Sequence, residues 1–141
     1  MNWVYETENK IYSRVNGILL SQFRSRYSGF NVTLDNALPT KAKIPSVYIA
    51  FLGASERGQT LDGTSINAVN MTVEVHVKTT FDDDQGVRLN REIAYAVTDA
   101  FKTMGFTATM PTIPTSNIDG IYESVSRYER IIGMDDVLYS I

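Results

Sequence analysis

The chain contains no cysteine, which removes a disulfide framework, a thiolate metal site and a cysteine nucleophile together. Histidine occurs once, at His76, so a metal centre or a histidine-based catalytic machine has a single imidazole to work with. There is no surplus of positive charge. Thirteen Lys and Arg stand against sixteen Asp and Glu, a formal charge of −3, whereas a dedicated nucleic-acid binder shows a concentrated basic footprint. No apolar run approaches the ~20 residues that span a bilayer. The opening Met1-Asn2-Trp3-Val4-Tyr5-Glu6 has neither the basic region nor the apolar stretch of a secretion signal. The expectation is a protein made and kept in a cytoplasm-like compartment. There, the glycosylation patterns Asn31-Val32-Thr33 and Asn70-Met71-Thr72 carry no meaning.

What is present suffices for a folded domain. The chain has 141 residues, 43% hydrophobic and 21% charged, enough to bury a real core as a single domain over residues 1–141. Val4, Ile11, Val15, Ile18, Leu19, Phe23 and Tyr27 recur at three- and four-residue steps. That spacing predicts an amphipathic helix over roughly residues 4 to 28, with Glu6 and Lys10 paired on its other face and Ser28-Gly29 as its stop. Asp35-Asn36, Pro39 and Pro45 mark residues 35 to 45 as a loop. Val47-Tyr48-Ile49-Ala50-Phe51-Leu52 reads as an apolar strand ending at Gly53, followed by a polar loop over residues 54–65. Val69, Met71, Val73, Val75 and Val77 then alternate with Asn70, Thr72, Glu74, His76 and Lys78, the signature of a long strand with one buried face.

Asp82-Asp83-Asp84 opens a second helix, whose stripe is Val87, Ile93, Ala94, Val97, Ala100, Phe101 and Met104 and whose stop is Gly105. A short strand at residues 106 to 110 and a proline-bearing connector through Thr115-Ser116-Asn117 follow. A strand from Ile121 to Ile132 comes next, with Tyr122 and Tyr128 on one face and Val125 on the other. Gly133 ends it, and residues 134 to 141 have room for one more short strand. Two amphipathic helices need an apolar surface, and one sheet supplies it. The fold class is α+β, a two-layer sandwich with an antiparallel or mixed sheet of about four to five strands packed against two helices.

Three places resemble chemistry and fall short. Gly53-Ala54-Ser55-Glu56-Arg57-Gly58-Gln59-Thr60 nearly spells a phosphate-binding loop, but Gln59 replaces the essential lysine and Leu61-Asp62-Gly63 is turn chemistry where a helix must start. Asp82, Asp83 and Asp84 suggest a calcium loop, yet its sixth and twelfth positions are Val87 and Ile93 rather than glycine and glutamate. These carboxylates suit a helix N-terminus instead. Glu74 and His76 form a possible acid–base pair, but no Ser, Cys or Asp motif joins them. Neither a catalytic residue nor a cofactor is expected. Tyr122, Ser124, Ser126, Tyr128 and Arg130 share one strand face, and aromatics with an arginine suit protein contacts or ordinary packing.

With these elements in order, the chain resembles the tail-terminator (neck or tail-completion) proteins of long-tailed bacteriophages. The likeness rests on the helix Tyr5 to Tyr27, the strand pair Val47 to Gly53 and Ile66 to Thr80, the helix Val87 to Met104, and the closing strand from Tyr122 to Gly133. It implies a virion protein assembled in the host bacterial cytoplasm and closing into a ring, commonly a hexamer, on the last disc of the tail tube. Its partners would be further copies of itself, the tail tube protein and a head-side connector or stopper. DNA would pass through without being read. The resemblance places Glu56, Arg57, Gln59, Leu61 and Asp62 of the polar loop against a neighbouring subunit or the tube, and Tyr122, Tyr128 and Arg130 join them as contact candidates. Another neck or head–tail connector protein shares this element order. A small hydrolase using His76 and Glu74, or a monomeric binding module, are the other classes.

Overall fold

A computed structural model describes residues 2–34, 45–59, 66–80, 86–110, 115–116 and 120–138. The first helix, α1 (Asn2–Phe23), ends five residues earlier than its apolar periodicity suggests. Beyond Phe23 the chain continues in tight turns, with the Arg26 and Tyr27 amides both bonded to the Phe23 carbonyl. These turns fold Phe30 back onto Phe23, with ring centroids 5.4 Å apart. The strand β1 (Asn31–Leu34) follows, then β2 (Ser46–Gln59) and β3 (Ile66–Thr80). The second helix, α2 (Gly86–Thr103), leads into β4 (Thr107–Met110), β5 (Thr115–Ser116) and β6 (Ile121–Gly133).

The expected architecture holds: two helices lie on an open mixed sheet of strand order β1-β2-β3-β6-β4, with the short β5 also paired to β6. β1 runs parallel to β2, and the other pairings are antiparallel. α1 packs on β1, β2 and α2, and α2 packs on β3, β4 and β6. The alternation of β3 is realised along the whole strand. Val69, Met71, Val73, Val75 and Val77 are buried toward the helices, each contributing roughly 1.5–3 kcal/mol of burial. The helices answer with Ile11, Val15, Leu19 and Phe23 from α1 and Ile93, Val97, Ala100 and Phe101 from α2.

Gly105 ends α2 as the sequence suggests. At φ 80° it takes the left-handed conformation that glycine tolerates. The Phe106 amide bonds to the Phe101 carbonyl and the Gly105 amide to that of Lys102, the paired bonds of a Schellman cap. At the other end of α2, Gly86 lies so close to β3 that an added Cβ would stand 2.2 Å from the Thr80 carbonyl oxygen.

Four expectations are corrected. β1 occupies Asn31–Leu34, where no strand is expected from the sequence. β2 does not end at Gly53; it continues through Gln59 in antiparallel register with β3, so residues 54–59 are strand rather than loop. Thr115–Ser116 pairs with β6 instead of forming a plain connector. Finally, the stretch 134–138 makes no further strand, and residues 139–141 lie outside the described residues.

Candidate functional site

With both helices on one side of the sheet, the opposite face is bare of any described element. β3 supplies its middle row: Asn70, Thr72, Glu74, His76 and Lys78, all half-buried by their neighbours. Register sets the flanks. Tyr48 lies beside His76 and Ala50 beside Glu74 from β2; Arg127 lies beside Glu74 and Glu123 beside Lys78 from β6.

Glu74 is the centre of a charge network on this face. Its Oε2 accepts a 2.7 Å bond from Arg127 Nε, and its Oε1 lies 2.6 Å from His76 Nε2. Burial presses the Glu74 carboxyl upward, but its bonds to Arg127 and His76, with their charges, outweigh that and hold its pKa below the ordinary carboxylate value. His76 Nδ1 is 3.6 Å from Glu123, which also pairs with Lys78 at 3.5 Å. The edge of Tyr48 meets the His76 ring at a centroid distance of 5.8 Å. Both imidazole nitrogens therefore face carboxylates. Only the Glu74 contact is within hydrogen-bond distance. No group of three or more His, Asp or Glu able to hold a metal ion occurs among the described residues.

Leu52, Ile131, Met134 and Val137 are among the large hydrophobics that remain exposed. Ile131 is in register with Asn70, and the Met134 amide bonds to the Asn67 carbonyl. Leu52 lines a shallow open depression with Gly53, Ser55, Asn70 and Thr72. The register of β2 against β3 skips Leu52, then Arg57, then Asn67 on the opposite strand. Each irregularity is a bulge that bends and twists the hairpin.

The expected contact residues divide sharply. Glu56 is exposed on β2, and Arg57 and Gln59 occupy strand positions of the same hairpin. Leu61 and Asp62 lie outside the described residues, as do Asp82, Asp83 and Asp84. Tyr128 is not a contact residue: it is fully buried, stacked on Phe101 at 4.5 Å and 5°, with its hydroxyl 2.8 Å from Thr98 Oγ1. Burial raises its pKa above the ordinary tyrosine value. β6 is an interior strand and its Tyr128 face looks at α2, so neither Tyr122 nor Tyr128 marks a strand edge. Arg130 is engaged internally. Its Nη1 donates to the Met104 carbonyl at 3.0 Å and its Nη2 lies 3.5 Å from Asp136, so it closes the C-terminal end of α2.

Tyr122 has a similar inward duty, through its backbone. Asn90, fully buried on α2, donates from Nδ2 to the carbonyls of Val77 and Tyr122, both at 3.1 Å, with Thr79 Oγ1 at 3.3 Å. Its Oδ1 accepts a 2.6 Å bond from Ser124. Thr79 in turn donates to the Gly86 carbonyl at 2.8 Å. Sequence reasoning passed over this node. The available signal was a polar residue placed between Val87 and Ile93, inside the helical stripe.

No protein-family model matches the chain, and no curated protein matches it. No helix among the described residues is long and apolar enough to cross a membrane.

Proposed function

We propose that this chain is a structural protein of a bacteriophage neck or tail, of the tail-terminator kind. In this reading it closes into a ring, commonly a hexamer, that ends the tail tube and presents a surface to the head-side connector. The observation that carries the reading is the order and layering of elements: a leading helix, a long hairpin, a second helix on the same side, and a long closing strand beside the hairpin. This is the element order on which the resemblance rests. The bare sheet face and the exposed Leu52, Ile131 and Met134 support an assembly role, since exposed apolar groups concentrate at contact surfaces.

Glu56, Arg57 and Gln59 retain their proposed place against a neighbour or the tube, now as part of a β-hairpin arm rather than a loose loop. DNA would cross the ring without being read, consistent with a net charge of −3. Co-expression with the tail tube protein encoded in the same genome tests the proposal. Electron microscopy should find a ring at one tube end and tubes that stop growing. Tubes that lengthen unchanged, with no ring, would refute it.

A further inference from the structure

The sheet has two different edges, and neither is guarded by charge or proline over the segments concerned, although β4 is short and β2 is bulged at Leu52. On one side, β1 pairs only with Ser46–Ile49 of β2. Among the described residues, no strand pairs the outer edge of β2 from Ala50 onward. That edge begins Ala50-Phe51-Leu52-Gly53-Ala54-Ser55, with neither a charge nor a proline before Glu56. On the other side lies β4, Thr107-Ala108-Thr109-Met110, also uncharged, with its first three residues exposed. Natural edge strands are usually blunted by lysine, proline or brevity, because free backbone N–H and C=O groups template another strand. The bulges in β2 shape its edge but place no charge on it before Glu56.

We propose that the open edge of β2 from Ala50 to Ser55 receives β4 of a second copy of this chain, so that neighbouring sheets join edge to edge. Strand direction favours this pairing. β2 and β6 run one way while β3 and β4 run the other. A second copy set beside the first, with its helices on the same side, therefore brings its β4 antiparallel to β2. Neither segment carries a charge, so pairing buries none. A two-fold contact of β2 with β2 would leave both β4 edges open, whereas the head-to-tail contact uses both kinds of edge and is the kind of contact a ring requires. This inference rests on the ring reading above and adds the contact that builds it.

The absence of native cysteine makes the test direct. Single-cysteine variants are made at exposed positions, Leu52→Cys and Ser55→Cys on β2, and Thr107→Cys and Ala108→Cys on β4. Facing Cα atoms of antiparallel strands lie about 4.5–5.5 Å apart, within disulfide reach. The variants are mixed pairwise at assembling concentration and oxidised, with melting temperatures compared to the parent to confirm folding. The pairing predicts disulfide dimers between a β2 variant and a β4 variant, and few between like variants. Rings that form without any β2-to-β4 crosslink, or in which Leu52→Cys joins itself, would overturn the edge contact while leaving the ring. A chain that stays monomeric at every concentration would overturn both.

Discussion

Replacing Asn90 with alanine should be among the most damaging single changes in the molecule, although Asn90 touches no expected site. One side chain there ties three elements together: α2 carries it, β3 offers the Val77 carbonyl, and β6 offers the Tyr122 carbonyl and the Ser124 hydroxyl. Truncation leaves those three groups without this partner in a site where Asn90 and Ser124 are almost fully buried. The buried Ser124 hydroxyl deprived of its partner costs about 1–3 kcal/mol, and the lost bonds to the two strand carbonyls add about 1 kcal/mol each, so the total is on the order of 3 kcal/mol. That is a large share of the ~5–15 kcal/mol by which domains are stable, and it corresponds to a fall in melting temperature on the order of 10 °C.

Urea denaturation followed by circular dichroism measures it, with Ser124→Ala and the double variant completing a cycle. Ser124→Ala alone should cost about 1 kcal/mol, because it removes one of the bonds to Asn90. In the Asn90→Ala background it should cost nothing or restore stability, since the orphaned hydroxyl goes with it. A loss below about 1 kcal/mol for Asn90→Ala, or strictly additive effects in the cycle, would refute the account of the node.

Val73→Asp should abolish or severely weaken folding, since Val73 is fully buried and an unpaired charge there costs several kcal/mol. Thr72→Asp, on the bare face, should be far milder, and equal melting temperatures for the two would contradict the facing of β3. Stability should also fall in acid. The folded-state pKa values of Glu74 and Glu92 lie below their ordinary 4.5, so their contribution is complete above that pH and is lost as pH drops through the lower folded values. Arg127 and His76 lower Glu74 against the opposing effect of burial, and Arg26 lowers Glu92. Glu74→Gln should flatten the acid limb of a melting-temperature profile; an unchanged limb would show that the Glu74 network contributes nothing.

Much of this fold is legible in the sequence wherever one face of an element is buried over a long stretch. Ile11, Val15 and Leu19 mark α1, Ile93, Val97 and Phe101 mark α2, and the alternation from Val69 to Val77 marks β3. Each buries an unbroken apolar row, so the period survives in the residues. β2 is less legible because its bulges shift the phase. After the register skips Leu52, Gly53 is opposite Thr72 on the bare face and Ala54 opposite Met71 on the buried one. Glycines and polar residues in that phase-shifted half look like a loop. β1 is only four residues long, too short for alternation to show.

The contact candidates on β6 misled for a different reason. An aromatic beside an arginine has the composition of a contact surface, but composition does not reveal that β6 lies between β3 and β4. Once it does, Tyr128 must pack under α2, and Arg130 finds the free carbonyl at the helix end. The Asn90 node was invisible for the complementary reason: two of its partners are backbone carbonyls, which no side-chain pattern announces.

The proposed function requires the chain to work as an assembled ring. Native mass measurement of the purified protein over a wide concentration range tests it most directly. The account predicts a closed homo-oligomer of fixed stoichiometry, most readily a hexamer, that grows in population with concentration without extending into longer species. A strict monomer at the highest attainable concentration that also forms no ring on tail tubes, or an open-ended series of sizes, would contradict it.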